Sequence, residues 1–166
     1  MKTKVIFDTN IWINTLLQFD PYVKLINFLI TNKDSLQVII DGYGATEVIH
    51  CIRNISNSLH ASSQEYEKAF WSLLTHLDCL KEYEVPIKNE LLKMARNKTE
   101  FLIIAKTYDL EPKDVPFVVL AFKHNAFLVT MDIRSLIDKR EEIYEKLAIR
   151  IMTLPEFFKS SSDFLA

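Results

Sequence analysis

Carboxylates follow two short apolar segments of this sequence at the point where each segment ends. Asp8 comes directly after residues 5–7, and Asp132 comes shortly after residues 126–130. Such segments predict buried strands, and in an open α/β sheet ligands bind just beyond the carboxyl ends of the strands. If both segments belong to one parallel sheet, their two carboxylates emerge at the same edge. A simpler alternative is that Asp8 or Asn10 only caps the following helix, because both residue types accept hydrogen bonds from free backbone N–H groups.

Two further acids begin predicted helices and have apolar neighbours. Asp114 directly precedes the most apolar helical segment, residues 115–124, and Glu47 lies early in the helix after the second predicted strand. Burying several carboxylates together is unfavourable unless positive charge compensates them, and no buried arginine or lysine is obviously placed to do so. Divalent cations would compensate them, and hard oxygen ligands suit Mg²⁺ or Mn²⁺. The pattern therefore predicts a Mg²⁺ or Mn²⁺ site formed by four residues, Asp8, Glu47, Asp114 and Asp132.

The elements that must position these acids alternate between strands and helices. We predict strands at residues 5–7, 36–41, 126–130 and 148–152, with a possible fifth within residues 78–85. We predict helices at residues 11–18, 22–31, from 44 to a break at 56–58, 65–76, 86–108 with an interruption near 97–99, 115–124, 133–147 and 155–158. Strands separated by helices indicate an α/β fold. The sheet is expected to be parallel, doubly wound and Rossmann-like, with four to five strands and helices on both faces; the pattern does not fix the strand order.

The composition predicts one globular domain. The chain has 166 residues, and its 49% hydrophobic and 25% charged residues are typical of a folded domain rather than of a disordered chain. We assign residues 1–158 to the domain and residues 159–166 to a flexible tail. The net charge of −2 gives no global attraction to nucleic acid or to anionic membranes. The sequence shows no signal peptide or membrane span, and two unpaired cysteines, Cys51 and Cys79, are expected of a cytoplasmic protein.

Four stretches, in order, resemble motifs of the PIN-domain family of metal-dependent ribonucleases. The opening Val5-Ile6-Phe7-Asp8-Thr9-Asn10 is similar to the first motif of that family, and residues 111–121 around Asp114 are similar to the third. Residues 127–132 resemble the closing Thr-x-Asp motif, and residues 154–158 resemble the usual ending. The resemblance covers the whole chain and implies a PIN-like fold.

The resemblance also implies roles for particular residues. In the family, the positions of Asp8, Glu47, Asp114 and Asp132 hold the metal and form the catalytic site. The match around Glu47 is short, so Asp41, at the end of the second strand, is an alternative ligand. We assign three other residues to substrate binding: Asn10, Thr130 and Arg134. Where the family often carries a further acid after Asp132, this chain has Ile133-Arg134-Ser135.

The function that these patterns favour is a Mg²⁺- or Mn²⁺-dependent endoribonuclease, similar to the toxin of a VapC-type toxin–antitoxin pair. The resemblance implies RNA as substrate, an antitoxin protein as a partner, and a homodimer. Two alternatives stay open: a catalytically silent PIN-like interaction module, and an aspartyl-nucleophile phosphatase, which needs a second acid where Asn10 stands.

Basic residues near the motifs are candidates for contacts with the nucleic-acid strand. They are Lys98, Lys113, Lys123 and Arg134, although lysines on such segments are usually plain solvated surface. The four histidines show no i, i+4 pair and no CxxC companion, which argues against a zinc site. The absence of a glycine-rich phosphate loop argues against nucleotide-triphosphate chemistry.

Overall fold

All strands of the computed structural model, which describes residues 1–59, 62–85 and 87–164, lie in one parallel sheet. The strands are β1 (Thr3–Phe7), β2 (Leu36–Asp41), β3 (Leu80–Glu82), β4 (Phe127–Val129) and β5 (Ile151–Met152). Their order across the sheet is β3-β2-β1-β4-β5, and every neighbouring pair is parallel. β1 is therefore the central strand. The predicted class, an α/β fold with a parallel doubly wound sheet, is confirmed.

Helices connect the strands and cover both faces of the sheet. They are α1 (Thr9–Leu16), α2 (Val23–Thr31), α3 (Gly42–Leu59), α4 (Ser63–His76), α5 (Glu90–Arg96), α6 (Thr99–Tyr108), α7 (Val115–His124), α8 (Arg140–Leu147) and α9 (Leu154–Phe164). A five-residue π-helical turn, Ile133–Ile137, follows β4. Within the described residues, no helix has the length and apolar character that crossing a bilayer requires.

The sheet separates two hydrophobic cores, and β1 contributes to both. Val5 and Phe7 pack into the core that contains Trp12 of α1, whereas Ile6 packs into the other core, with Val118 of α7. Alternation of successive side chains across a strand explains this division. Since both faces of β1 are buried, the carboxyl end of the strand is fixed in position.

Three helical predictions differ from the structure. The predicted break at residues 56–58 is wrong, because α3 continues to Leu59 and the Ser56 hydroxyl donates to the backbone of its own helix, at Arg53 O. The single helix predicted over residues 133–147 is instead the π-helical turn followed by α8. The last helix was predicted to span residues 155–158 and continues to Phe164.

The structure also resolves two segments that the sequence pattern left uncertain. The uncertain segment 78–85 contains β3, an edge strand that pairs with β2. The long helix predicted over residues 86–108 is divided into α5 and α6 near Asn97, as expected. Pro86, predicted to begin that helix, lies outside the described residues.

Candidate functional site

Asp8 ends the central strand and is held at both carboxylate oxygens. Its Oδ1 accepts a hydrogen bond from the Thr9 backbone N–H at 2.6 Å, which caps α1, and its Oδ2 accepts one from the Thr130 hydroxyl at 2.7 Å. Its own N–H donates to Val129 O at 3.0 Å, so it is fixed against β4. Burial, followed by the negative charges of Glu47 and Asp132, raises the pKa of Asp8 to about 6. The capping alternative is thus correct, but capping does not account for the neighbouring acids.

Thr130 links Asp8 to Asp132. Its side chain is completely buried, and its hydroxyl oxygen accepts a hydrogen bond from the Asp132 backbone N–H at 3.0 Å while donating to Asp8. The Asp132 Oδ1 in turn accepts from the Ser135 N–H at 3.1 Å, which caps the π-helical turn. A single threonine therefore fixes the two acids that follow β1 and β4.

Asp114 approaches the same place from the start of α7. It is buried, and its Oδ2 accepts a hydrogen bond from the Ser135 hydroxyl at 2.6 Å. Burial is the main cause of its pKa being raised to about 6, and the charges of Asp8 and Asp132 add to the effect. Ser135 therefore connects Asp114 to the turn that Asp132 caps.

Glu47 completes the group from α3. Its Oε2 accepts a hydrogen bond from the Thr9 hydroxyl at 2.6 Å, and its Oε1 accepts one from Arg96 Nη2 at 3.1 Å. Burial raises the pKa of Glu47, and the charge of Asp114 contributes in the same direction. The structure thus brings all four predicted acids together at the carboxyl edge of the sheet.

Arg96 is the functional candidate that sequence reasoning missed. It ends α5, and besides its ion pair with Glu47 its Nε donates to the Tyr43 hydroxyl at 3.1 Å. The sequence places no buried arginine or lysine beside the acids, and the residue that compensates Glu47 is the partly exposed Arg96. No local pattern marks this residue, because it reaches Glu47 only through the packing of α5 against α3. Thr9 and Ser135, by contrast, lie within three residues of a predicted acid.

Asp41, the alternative to Glu47, has a different role in the structure. Its Oδ1 accepts a hydrogen bond from the Gly44 N–H at 2.8 Å, which caps α3. Burial raises the pKa of Asp41, and its charged neighbours include Glu82 and Lys123. A Cβ on Gly44 would lie only 3.3 Å from this oxygen, so a glycine lets the carboxylate reach the helix end closely.

The predicted substrate-binding and basic residues are distributed around this edge. Asn10 is exposed in the first turn of α1, and Arg134 is exposed in the π-helical turn. Lys113 pairs with Glu111 at 3.1 Å, and the charges of Asp114 and Asp132 help to raise its pKa. The other two lysines form ion pairs with different acids: Lys123 with Glu82 at 2.9 Å and Lys98 with Glu100 at 3.4 Å.

The donor chemistry of the four acids fits a hard divalent cation, since carboxylate oxygens are the ligands that Mg²⁺ and Mn²⁺ prefer. Burial, with a further contribution from neighbouring acids, raises the pKa values of Asp8 and Asp114 to about 6, so protein groups compensate these carboxylates only in part. Among the described residues, however, no three His, Cys, Asp or Glu side chains are already arranged to hold an ion.

Comparison with known proteins establishes a likeness of fold. No protein-family model matches this sequence, and no curated protein matches it. The structure of VapBC2 from Rickettsia felis bound to a DNA fragment from their promoter is similar, with a TM-score of 0.54 at 14% identity over 91% of this chain and 98% of that chain. PAE2754 from Pyrobaculum aerophilum is similar as well, with a TM-score of 0.53 at 16% identity over 98% of this chain and 99% of that chain. The chain thus shares the fold of these two structures, in agreement with the PIN-like fold predicted from its sequence.

Proposed function

We propose that this protein is a Mg²⁺- or Mn²⁺-dependent endoribonuclease that hydrolyses phosphodiester bonds of RNA. The observation that carries the proposal is the convergence of Asp8, Glu47, Asp114 and Asp132 from four separate elements at one edge of the sheet. Burying three of these carboxylates, Asp8, Glu47 and Asp114, beside the half-buried Asp132 is costly, and a purely structural role does not require it. The fold shared with VapBC2 supports the proposal.

In this proposal the four acids hold the metal. A divalent cation, when bound, supplies a nucleophilic water at neutral pH and neutralises charge on the phosphoryl oxygens. The hydroxyls of the chain orient the ligands: Thr130 holds Asp8, Thr9 holds Glu47, and Ser135 holds Asp114. Because Thr130 is completely buried, we now assign it to positioning rather than to substrate binding.

Substrate contacts in this proposal fall to exposed residues at the rim. Asn10 and Arg134 lie on the two segments that follow β1 and β4, so both can reach a strand that crosses the acidic edge. Lys113, next in the chain to Asp114, is placed to offset part of the negative charge there. A bound cation would also convert this acidic edge into one that accepts a polyanion.

We further propose a cellular role as the toxin of a VapC-type toxin–antitoxin pair. The support is the likeness of fold to VapBC2, which was solved with a DNA fragment from their promoter. Regulation by an antitoxin protein and homodimerisation belong to this proposal. So does a cytoplasmic location, with which the two free cysteines agree.

Cleavage of RNA by wild type and the Asp8→Asn variant tests the proposed activity. We expect wild type to cut a labelled single-stranded RNA with Mn²⁺ or Mg²⁺ and to stop when a chelator is added. Asp8→Asn should lower the rate by at least about a hundredfold, because it removes a ligand charge. The matched control is Asp34→Asn, an exposed acid away from the site, which should cut like wild type. Equal metal-dependent rates for Asp8→Asn and wild type would contradict the proposal.

A second candidate function is a catalytically silent interaction module. Two observations favour it: Glu47 is already paired with Arg96, and no three described acids, histidines or cysteines are preassembled around an ion. Calorimetric titration with Mn²⁺ separates the candidates, since the silent module would give no binding heat.

An aspartyl-nucleophile phosphatase is less well supported, because Asn10 stands where its second acid belongs. Hydrolysis of a small phosphate ester would identify that activity.

A further inference from the structure

Arg96 is held at the acidic edge by two side chains of α3, Glu47 and Tyr43. Its Nη2 lies 3.1 Å from Glu47 Oε1, its Nε donates to the Tyr43 hydroxyl at 3.1 Å, and its guanidinium carbon lies 5.8 Å from the centre of the Tyr43 ring. The Tyr43 hydroxyl in turn donates to Lys113 O at 2.7 Å, so the tyrosine is itself fixed. The guanidinium is thus pre-organised rather than free to rotate.

These contacts do not occupy all the N–H groups of the guanidinium. Its second terminal nitrogen, Nη1, has no hydrogen-bond partner among the residues that the structure describes, and 36% of the Arg96 side chain is exposed. The planar fork of an arginine matches the oxygens of a phosphate, and a fixed fork loses little entropy on binding one. An arginine that served only as a counter-ion for Glu47 would not need the second clamp that Tyr43 provides.

We infer that Arg96 binds a phosphate of the RNA strand beside the acidic cluster, with Tyr43 as the residue that positions it. This inference rests on the proposed function and adds a substrate contact to it. Glu47 is the ion-pair partner of Arg96. This pair keeps the Arg96 guanidinium in place at the acidic edge when no RNA is bound. An RNA strand that reaches the four carboxylates then meets the fixed, positively charged guanidinium of Arg96.

Binding of a fluorescein-labelled twelve-nucleotide oligouridylate, measured by anisotropy at several salt concentrations, tests the inference. Ca²⁺ replaces Mg²⁺ in the buffer because it takes the same kind of oxygen ligands, and a gel checks that the RNA stays intact. We expect Arg96→Gln to weaken binding about tenfold. It should also reduce the slope of log Kd against log salt concentration by about 0.7, the value for one phosphate contact on a single strand. Arg96→Lys, which keeps the charge without the fork, should keep the slope and weaken binding less.

The matched control is Arg150→Gln. Arg150 also lies over an aromatic ring, and its guanidinium carbon is 5.8 Å from the centre of the Phe127 ring. It directly precedes β5, so it lies at the amino-terminal ends of the strands, away from the acids at their carboxyl ends. A salt slope for Arg96→Gln equal to that of Arg150→Gln would overturn the inference, even if the variant were less stable. If wild type itself bound no RNA, the proposed function would fall together with this inference. If wild type bound RNA and Arg96→Gln bound it equally well, only the inference would fall.

Discussion

At the level of single residues, three hydroxyl groups orient the carboxylates of the acidic edge. Thr9, Thr130 and Ser135 each donate one hydrogen bond of 2.6 to 2.7 Å to a different carboxylate. Hydrogen bonds to a charged acceptor are stronger than neutral ones, and they favour the ionised form of the acid. These hydroxyls therefore keep the carboxylates oriented and partly offset the cost of burying them.

Thr130→Val tests this role. The change keeps the shape of the side chain but removes the hydroxyl bond that lowers the pKa of Asp8, so this pKa should rise above its present value of about 6. If ionised Asp8 is required for cleavage, the acidic limb of the pH–rate profile should move to higher pH. We expect a fall in rate of about tenfold to a hundredfold at pH 7, in line with the loss of a positioning contact.

Two control variants accompany Thr130→Val. Thr130→Ser keeps the hydroxyl and should keep the wild-type profile. Thr107→Val removes an exposed hydroxyl that only bonds the backbone of its own helix, at Ile103 O, and should not move the profile. A wild-type pH–rate profile for Thr130→Val would show that the hydroxyl does not control Asp8.

The acids of the site could be predicted from sequence, whereas their counter-ion could not. Asp8 and Asp132 end apolar strand segments and Asp114 begins an apolar helix, so local pattern alone places them at one edge. Arg96 lies 49 residues after Glu47, and nothing in its neighbours distinguishes it from a surface arginine. Its position depends on helix packing, which a local pattern does not encode.

Among the elements, α3 is stabilised at its start by Asp41, a residue that the sequence also offered as a possible metal ligand. Asp41 ends β2 and caps α3, and this single carboxylate fixes where the strand stops and the helix begins. Glu47 lies one to two turns further along the same helix. The cap therefore sets the position of a site residue without belonging to the acidic group.

Asp41→Ala distinguishes a cap from a ligand. We expect a loss of about 1 kcal/mol of folding free energy, which lowers the melting temperature by about 2–4 °C in a chain of this size. RNA cleavage below that temperature should stay at the wild-type level. Asp41→Asn retains the capping oxygen and should be as stable as wild type. Loss of metal-dependent cleavage in both variants would instead make Asp41 a ligand.

Elements held by their own sequence could be predicted, and elements held by tertiary contacts could not. α7 follows the predicted residues 115–124, because its apolar composition and the preceding acid define it locally. The turn Ile133–Ile137 could not be predicted, since its Ser135 hydroxyl bonds Asp114, 21 residues away, and the Thr130 hydroxyl just before it bonds Asp8, 122 residues away. The order of the strands is likewise a property of packing between distant segments.

For the whole molecule, the buried acids predict an unusual dependence of stability on pH. The pKa of Asp8 is about 6 in the folded protein and 3.8 without the fold, so the folded state binds the proton more tightly. Stability from this group is therefore present at low pH and is lost as pH rises from about 4 to about 6. One pKa unit corresponds to about 1.4 kcal/mol, which makes the effect of order 3 kcal/mol for Asp8 in the metal-free protein.

Chemical denaturation of wild type and Asp8→Asn between pH 4 and pH 8 measures this effect. In chelator, the variant should gain stability relative to wild type as pH rises to about 6, with no further gain above it. Saturating Mn²⁺ at pH 7 should stabilise wild type and have little effect on Asp8→Asn, because a ligand that binds only the folded state adds to stability. A constant difference between the two proteins across this pH range would contradict the prediction.

The burial of β1 on both faces has a consequence for how the protein would lose activity. Segments that open easily are those with few apolar contacts, whereas a strand at the centre of two cores exchanges its amide hydrogens only when the whole domain unfolds. Asp8 and its N–H bond to Val129 stand at the end of that strand. Heat should therefore abolish the proposed RNA cleavage in the same cooperative step that melts the domain, with no earlier loosening of Asp8.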